Sequence, residues 1–395
     1  MKPFHVLILL TIVSHNTFNG TKLTVALHAL QLGASPAIVG VLVAMFGLVP
    51  MLISVHAGRW IDRIGPKVPI LAATTILSMG ALASFALESI SALLLTSLLT
   101  GMGYNIFFVA QQQLIGRYGR PEELPSILSL SSLGFSLSSF ISPVISGFSI
   151  DHAGAPNTFL LLGLLPCITL VVVASNRLKF PPRHASSGSL QERPKGGVIG
   201  LLRQPELRRV YIFSTLSQAT WDTFNVLMPI YGSQNGHSAS TVGLLIGTFA
   251  FATLIVRVAM PMIVRHTRPW QLLIISVGGS SLSFFCIPAT NGIPALLALA
   301  AWLGLTVGLA APMLLTLIHD ASPPDRIGEA VGLRVSMMNT SQTAIPMISG
   351  SVAAALGVGT MFLATGMALV AGCVYCRGRW HARRPGSAGS NGFRT

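Results

Sequence analysis

The sequence predicts an all-α integral membrane protein of twelve transmembrane helices, arranged as two six-helix pseudo-repeats. Three observations carry that prediction. Of 395 residues, 51% are hydrophobic and only 9% are charged, too little charge to cover a soluble chain of this size. Apolar runs of about 20 residues recur along almost the whole length, enough for a helix to cross roughly 30 Å of hydrocarbon. One hexapeptide pattern occurs twice, SPVISG at 142–147 and IPMISG at 345–350, 346 − 143 = 203 residues apart. The alternating ten-residue segments of a β-barrel are absent, so the spans are helical.

Span 1 (6–30) begins within MKPFHVLILLTIV. No small-residue cleavage site follows, and the apolar stretch continues through GTKLTVALHAL, so it reads as a retained helix rather than a signal peptide. Spans 2 (37–56), 3 (68–87) and 4 (92–115) follow. Span 5 (124–148) carries the first hexapeptide, and span 6 (157–175) closes an N-terminal bundle over 1–175. Residues 176–209 contain PPRHASSGSLQERPKGG and read as a flexible basic linker. The second bundle, 210–376, comprises spans at 210–232, 241–264, 270–288, 293–318, 330–356 (with the second hexapeptide) and 359–376; a basic tail occupies 377–395.

Charge sets the expected orientation. Of 25 Lys and Arg residues, Lys22 and Arg257 lie well inside spans; the other 25 − 2 = 23, counting Arg334 near the start of span 11, belong to the termini and linker and to positions in and beside the loops of one face. The opposite loops carry none. The positive-inside rule makes the basic face cytoplasmic, with both termini there, in the cell (inner) membrane. The formal charge of +14 then reflects topology and contact with the lipid bilayer; no nucleic acid partner is implied.

The 203-residue shift aligns more than the hexapeptide. PAIVGVLVAMFG from Pro36 falls on ASTVGLLIGTFA from Ala239, Gly40 on Gly243, Gly101 on Gly304, Pro121 on Pro324 and Gly147 on Gly350. One ungapped register from spans 1–2 through 11 marks two halves of common design. Between spans 2 and 3 stands GRWIDRIGPK, with Gly58, Asp62, Arg63, Gly65 and Lys67 on the pattern G-x-x-x-D-R-x-G-[RK]-[RK] and Pro66 where a base is usual. A degraded copy, PMIVRHTRPW, lies between spans 8 and 9, with Pro261 for the glycine and Arg265 for the aspartate. In these features the chain resembles the major facilitator superfamily of secondary transporters, over its whole length except linker and tail. Among its members the closest likeness is to the small drug- and metabolite-efflux types.

That resemblance implies rocking-type alternating access, with a small-molecule substrate, protons as coupling ion and a monomeric unit. It assigns Asp62 to the amino-terminal end of helix 11, near Gly328 to Gly332, where the partial positive charge of a helix start would latch the cytoplasmic side. Arg326, Glu329 and Arg334 would extend that charge relay. Gly58 is expected to let backbones approach closely. In span 5, family antiporters often carry G-x-x-x-G-P-x-x-G-G; here SSFISPVISG keeps Pro143 and Gly147 but has Ser138, Ser142 and Ser146 at glycine positions. In span 4 the drug–proton antiporters carry an arginine where this chain has Ser97, so no proton relay transfers to that position. Proton-coupled efflux is the first expectation, and with both antiporter signatures eroded, proton-coupled uptake of a metabolite is the second.

Intramembrane charges are costly, about 2.5–3.5 kcal/mol for a Lys or Asp at helix centre, and normally face a cavity or each other. Among eleven acids only Asp222 sits mid-span. The shift places Asp222 over Asn19, Trp221 over Phe18 and Asn225 over Lys22. Lys22 and Asp222 are therefore expected to pair near mid-membrane and to carry proton coupling; a static structural pair is the alternative. His15, Asn19, Tyr104, Asn105, Gln218, Trp221, Asn225, Trp302, Asn339 and Gln342 are the expected cavity lining. Arg257, late in span 8, is expected to be structural. The C-x-x-C at Cys373 and Cys376 lacks partner ligands, so no metal is expected. There is no G-x-x-x-x-G-K-[ST], no cofactor motif, and no cluster of nucleophile and base. A membrane-embedded enzyme or a non-transporting receptor is the remote alternative.

Overall fold

The computed structural model describes residues 3–118, 124–175, 197–323 and 326–376. Regular structure among them is helical. α1 (Pro3–Gln31), α2 (Pro36–Ile64), α3 (Lys67–Ala86) and α4 (Ile90–Tyr118) are spans 1 to 4. α5 (Leu124–Ala174) carries spans 5 and 6, because the expected gap between them stays helical except at Gly154, with φ 83° and ψ 160°. A residue without Cβ reaches that conformation freely, so the chain turns there without a loop.

A short helix, α6 (Gly197–Arg203), falls within the stretch read as linker, and α7 (Pro205–Gln234) starts ahead of the expected residue 210. α8 (Ala239–His266) and α9 (Pro269–Cys286) follow. Span 10 is divided at Leu309 into α10 (Ile293–Gly308) and α11 (Ala310–Ala321); α12 (Ile327–Leu356) and α13 (Val358–Cys376) are spans 11 and 12. The expected repeat landmarks Pro121 and Pro324, most of the linker and the tail lie outside the described residues.

Local backbone devices follow the repeat. Gly33 and Gly236, at φ 80° and 69°, are 236 − 33 = 203 residues apart, and Gly154 and Gly357, at 83° and 87°, are 357 − 154 = 203 apart. Each half thus places its left-handed turns at the same two positions. The following helices also start alike: the Ser35 hydroxyl accepts the Ile38 N–H at 3.4 Å, and the Ser238 hydroxyl accepts the Thr241 N–H at 3.2 Å. Gly65 (φ 84°) has no such counterpart, since position 268 is Arg268 at φ −91°. It ends α2, its N–H bonding the Ile61 carbonyl at 2.9 Å, and α3 begins two residues later.

The helices form two compact units. The first comprises Met1–Ser186, Asp222–Phe251 and Gln342–Met361; the second comprises Ser187–Trp221, Ala252–Ser341 and Phe362–Thr395. The first therefore holds α1–α5 together with the parts of α7, α8, α12 and α13 next to the Lys- and Arg-free loops. Near its opposite end an apolar cluster of Leu10, Ile61, Ile70, Phe107, Leu114 and Ile127 is buried. In the second unit the Tyr211 hydroxyl donates to the Ala330 carbonyl at 3.1 Å, Arg334 Nε to Ser214 Oγ at 3.1 Å, and Arg326 pairs with Glu329 at 2.9 Å. Large apolar side chains such as Leu52, Met79, Val171, Val258, Met262 and Val374 are exposed on the helices, as lipid contact allows.

The duplicated hexapeptide makes two equivalent helix crossings, both inside the first unit. A Cβ on Gly147 would meet the Ala239 carbonyl, and one on Gly243 would meet the Pro143 carbonyl. In the other copy, a Cβ on Gly350 would lie 2.5 Å from the Pro36 oxygen, and one on Gly40 would meet the Pro346 carbonyl. Glycine faces backbone in all four places, so α5 crosses α8, and α2 crosses α12, at closest approach.

Candidate functional site

α1 presents two different faces. Ser14, Thr17, Thr21 and Thr24 are buried, and the Thr17 hydroxyl donates to the Leu162 carbonyl of α5 at 3.0 Å. On the second face stand His15, Phe18, Asn19 and Lys22, spaced i, i+3, i+4 and i+7 so that they share one stripe. Asn19 Nδ2 lies 3.1 Å from His15 Nε2, a bond within the helix that steadies the imidazole.

Around this stripe α2, α4 and α5 supply aromatic rings. Tyr104 stacks on Phe18 with centroids 4.3 Å apart at 21°. His15 lies 5.5 Å from Tyr104 and meets Phe135 edge-on at 5.2 Å. Phe108 closes the ring, 6.1 Å from Tyr104 and 5.6 Å from Phe135, and Phe46 meets Phe18 at 5.7 Å. Edge-to-face and offset contacts of this kind rigidify an aromatic wall. His15, Phe18, Tyr104, Phe108 and Phe135 are partly buried, so the wall keeps accessible surface. Gly101 brings α4 close: a Cβ there would lie 2.6 Å from the Phe46 carbonyl. That carbonyl lacks its usual intrahelical donor because residue 50 is proline.

Two turns along the same face, the Lys22 ammonium interacts electrostatically with the Asp222 carboxylate, and Asp222 is only 2% exposed. The two charges that the sequence sets mid-span thus lie within electrostatic reach of each other, and Lys22 is on the α1 face that carries Phe18. Asn225 and Gln342 belong to the same unit, whereas Gln218, Trp221, Asn339 and Trp302 belong to the second. The Trp302 indole donates to the Gly279 carbonyl of α9 at 2.9 Å and is 45% exposed, an arrangement at the α9–α10 face. Asn105 points toward α2, its Oδ1 accepting from the Ser54 hydroxyl at 3.2 Å.

Sequence reasoning singles out Tyr104 and misses Phe18, Phe46, Phe108 and Phe135 as its companions. The i, i+4 spacing of Tyr104 and Phe108 is a readable signal; the approach of Phe46 and Phe135 depends on tertiary packing. Gly58 corrects an expectation, because a Cβ added there would meet nothing within 4 Å among the described residues. Asp62 and Arg63 are exposed in the last turn of α2. Ser97, where the resemblance would put an arginine, is fully buried and bonds back to the Leu93 carbonyl at 2.8 Å.

The three glycine-to-serine changes of α5 have a clear packing role. Ser138 donates to the Ile12 carbonyl at 3.4 Å, Ser142 donates to the Asn16 carbonyl at 2.8 Å, and Ser146 Oγ lies over Gly20. One face of α5 therefore hydrogen-bonds α1 while Pro143 and Gly147 on another face cross α8.

Residues 7–213 and 210–394 each match the model of the family described as Major Facilitator Superfamily. An "Uncharacterized MFS-type transporter y4rN" of Sinorhizobium fredii (strain NBRC 101917 / NGR234) is 23% identical over 333 residues, 80% of each chain. A "Multidrug resistance protein 1" of Bacillus subtilis (strain 168) is 23% identical over 234 residues, 58% of each. Among solved structures, a bacterial homolog to the human lysosomal transporter Spinster, inward-facing and occupied, superposes with a TM-score of 0.76 at 13% identity, covering 96% of this chain and 98% of the other. At that identity the likeness speaks for the fold.

Proposed function

We propose, from the premise that the chain belongs to the Major Facilitator Superfamily of membrane transporters, that it exports a small organic molecule in exchange for protons by alternating access. The family is one of transporters rather than of enzymes, and the chain is a multi-pass membrane protein. The proposal adds direction, coupling ion, substrate class and an inner-membrane location with both termini cytoplasmic.

The observation that carries the coupling assignment is the charge interaction of Lys22 with a buried Asp222. Insertion into hydrocarbon costs each charge, and a purely structural pair seldom repays that cost. When substrate or rocking separates the pair, Asp222 takes up a proton in place of its lost partner. The partly buried rings of Phe18 and Tyr104 on the same α1 face suit an apolar, flat substrate body. His15, Asn19, Asn225, Gln218, Trp221, Asn339 and Gln342 remain proposed lining residues, and the Gly58–Lys67 segment remains the proposed cytoplasmic gating element. The multidrug relative supports export; the serines in α5 and Ser97 in α4, which depart from the antiporter pattern, favour proton-coupled uptake as the second reading.

Proton movement in liposomes holding purified protein, across a panel of organic compounds, tests this. Wild type is expected to move protons only with substrate, in the direction opposite to it. Asp222→Asn is expected to lose that flux by at least about tenfold while still exchanging labelled substrate across the membrane. Co-directional flux would establish uptake instead. Undiminished coupled flux in Asp222→Asn would reduce the pair to a structural role.

A further inference from the structure

The two helix crossings differ in one respect that their shared design does not require. At the α5–α8 crossing, Asp151 accepts the Ala239 N–H at 3.0 Å, the Ser240 N–H at 2.7 Å and the Ser240 hydroxyl. Position 151 + 203 = 354 in the other half is Ala354, and nothing equivalent is available there. Pro36 stands at the position of Ala239 and has no N–H to give. The acid and its donor thus change together between the halves.

A helix cap alone does not require Asp151, since α2 starts without an equivalent acid. The start of α8 is already capped by Ser238, in the same register in which Ser35 caps α2. The carboxylate reaches instead from another helix, onto the two leading N–H groups of α8, where the helix dipole is most favourable to negative charge. Directly beside it, Gly147 packs on Ala239 and Ser240 backbone without room for a Cβ.

We infer that Asp151 is a latch on the α5–α8 crossing, a positioning residue that holds this end of the molecule closed and is released once in each transport cycle. The inference rests on the alternating-access reading, and on the positive-inside expectation that makes this Lys- and Arg-free end the outer one. The asymmetry gives the latch a purpose: two glycine crossings zip the end shut, and one charged clasp on one of them sets how readily it opens.

The test uses full-length protein in nanodiscs, with Cys167, Cys286, Cys373 and Cys376 replaced and spin labels at Ala153→Cys and Gln234→Cys, both exposed positions. Distance distributions are compared for the parent, Asp151→Asn, Ser240→Ala, Ala239→Pro and Gly147→Ala. Ala239→Pro copies the other half and removes one donor at a helix position that accepts proline. Gly147→Ala is the wedge control, because its Cβ has no space in the closed crossing. Asp151→Asn is expected to raise the long-distance population on the order of tenfold, with Ala239→Pro and Ser240→Ala intermediate. If Gly147→Ala opens the end while the three latch variants stay as closed as the parent, the latch is wrong and alternating access stands. If the wedge and every substrate condition leave one short distance, the alternating-access reading itself is overturned. Should Asp151→Asn fail to fold, Ala239→Pro and Ser240→Ala decide the matter alone.

Discussion

Asp222 is legible in the sequence because it is the one acid among eleven that has no loop to retreat to. Its partner is legible because Lys22 lies in the equivalent helix of the other half, within one turn of the position that matches Asp222. Asp151 is the opposite case. It stands at a helix end, where an acid attracts no notice, and its value depends on Ala239 having an N–H that Pro36 lacks. Partial burial works against the Asp151 charge, but hydrogen bonds from the Ser240 side chain and N–H, from Ala239 and from Ser238 outweigh it and hold the carboxyl below the usual carboxylate range. The sign of the pH effect follows. A depressed pKa keeps the clasp charged above the ordinary value of about 3.9 and loses it as pH falls through the lowered one. The Ala153–Gln234 distance is therefore expected to stay short from pH 8 to pH 5 and to lengthen only in stronger acid. His152, whose ring bonds the Phe148 carbonyl, and His237, next to Ser238, are the neighbouring titratable groups. A change complete between pH 7 and 5 would overturn the assignment of the response to the Asp151 carboxylate.

At the scale of the element, α5 shows why the repeated hexapeptide is conspicuous while its purpose is hidden. Periodicity predicts a span, and the proline and glycines predict close packing. Which face meets which helix does not follow, since small residues line two faces: serines toward α1, Pro143 and Gly147 toward α8. The same limit explains Gly58, where a glycine in a recognisable motif suggests a close approach that is not made among the described residues. The divided span 10 and the unbroken α5 are likewise invisible to hydropathy, which counts apolar residues and not backbone angles. Glycines with backbone against them should therefore behave differently from glycines facing open space. Gly40→Ala and Gly243→Ala push a methyl into the carbonyls of Pro346 and Pro143 and are expected to cost about 1–3 kcal/mol. The readout is a lower thermal midpoint in detergent. Gly58→Ala and Gly328→Ala, with nothing within 4 Å among the described residues, are expected to leave that midpoint unchanged or raise it slightly, since alanine is the better helix former. Equal losses in both sets would mean that the close crossings do not govern these positions, because helix propensity alone would make Gly→Ala a gain.

For the whole molecule, six spans in each half return the chain to the face where it began, so the two copies of the 203-residue repeat run in the same sense and the repeat does not exchange the two ends. The paired turns at Gly33 and Gly236, and at Gly154 and Gly357, lie at one end in both halves. What tells that end from the other is charge: 23 of 25 basic residues gather at one end, and the loops at the other carry no Lys or Arg. Orientation, and with it the meaning of export, uptake and outer latch, rests on that asymmetry through the positive-inside rule. It is directly measurable. In a background without the four native cysteines, Gln234→Cys is expected to react with a membrane-impermeant maleimide in intact cells. Ser390→Cys in the tail is expected to react only after permeabilisation. Mixed labelling of both sites would mean that a charge bias this strong still leaves two topologies. The reverse pattern would place the basic end outside, turn the Asp151 clasp into a cytoplasmic gate and exchange the two proposed directions of transport, while the Lys22–Asp222 pair, at mid-depth, would keep its place in either orientation.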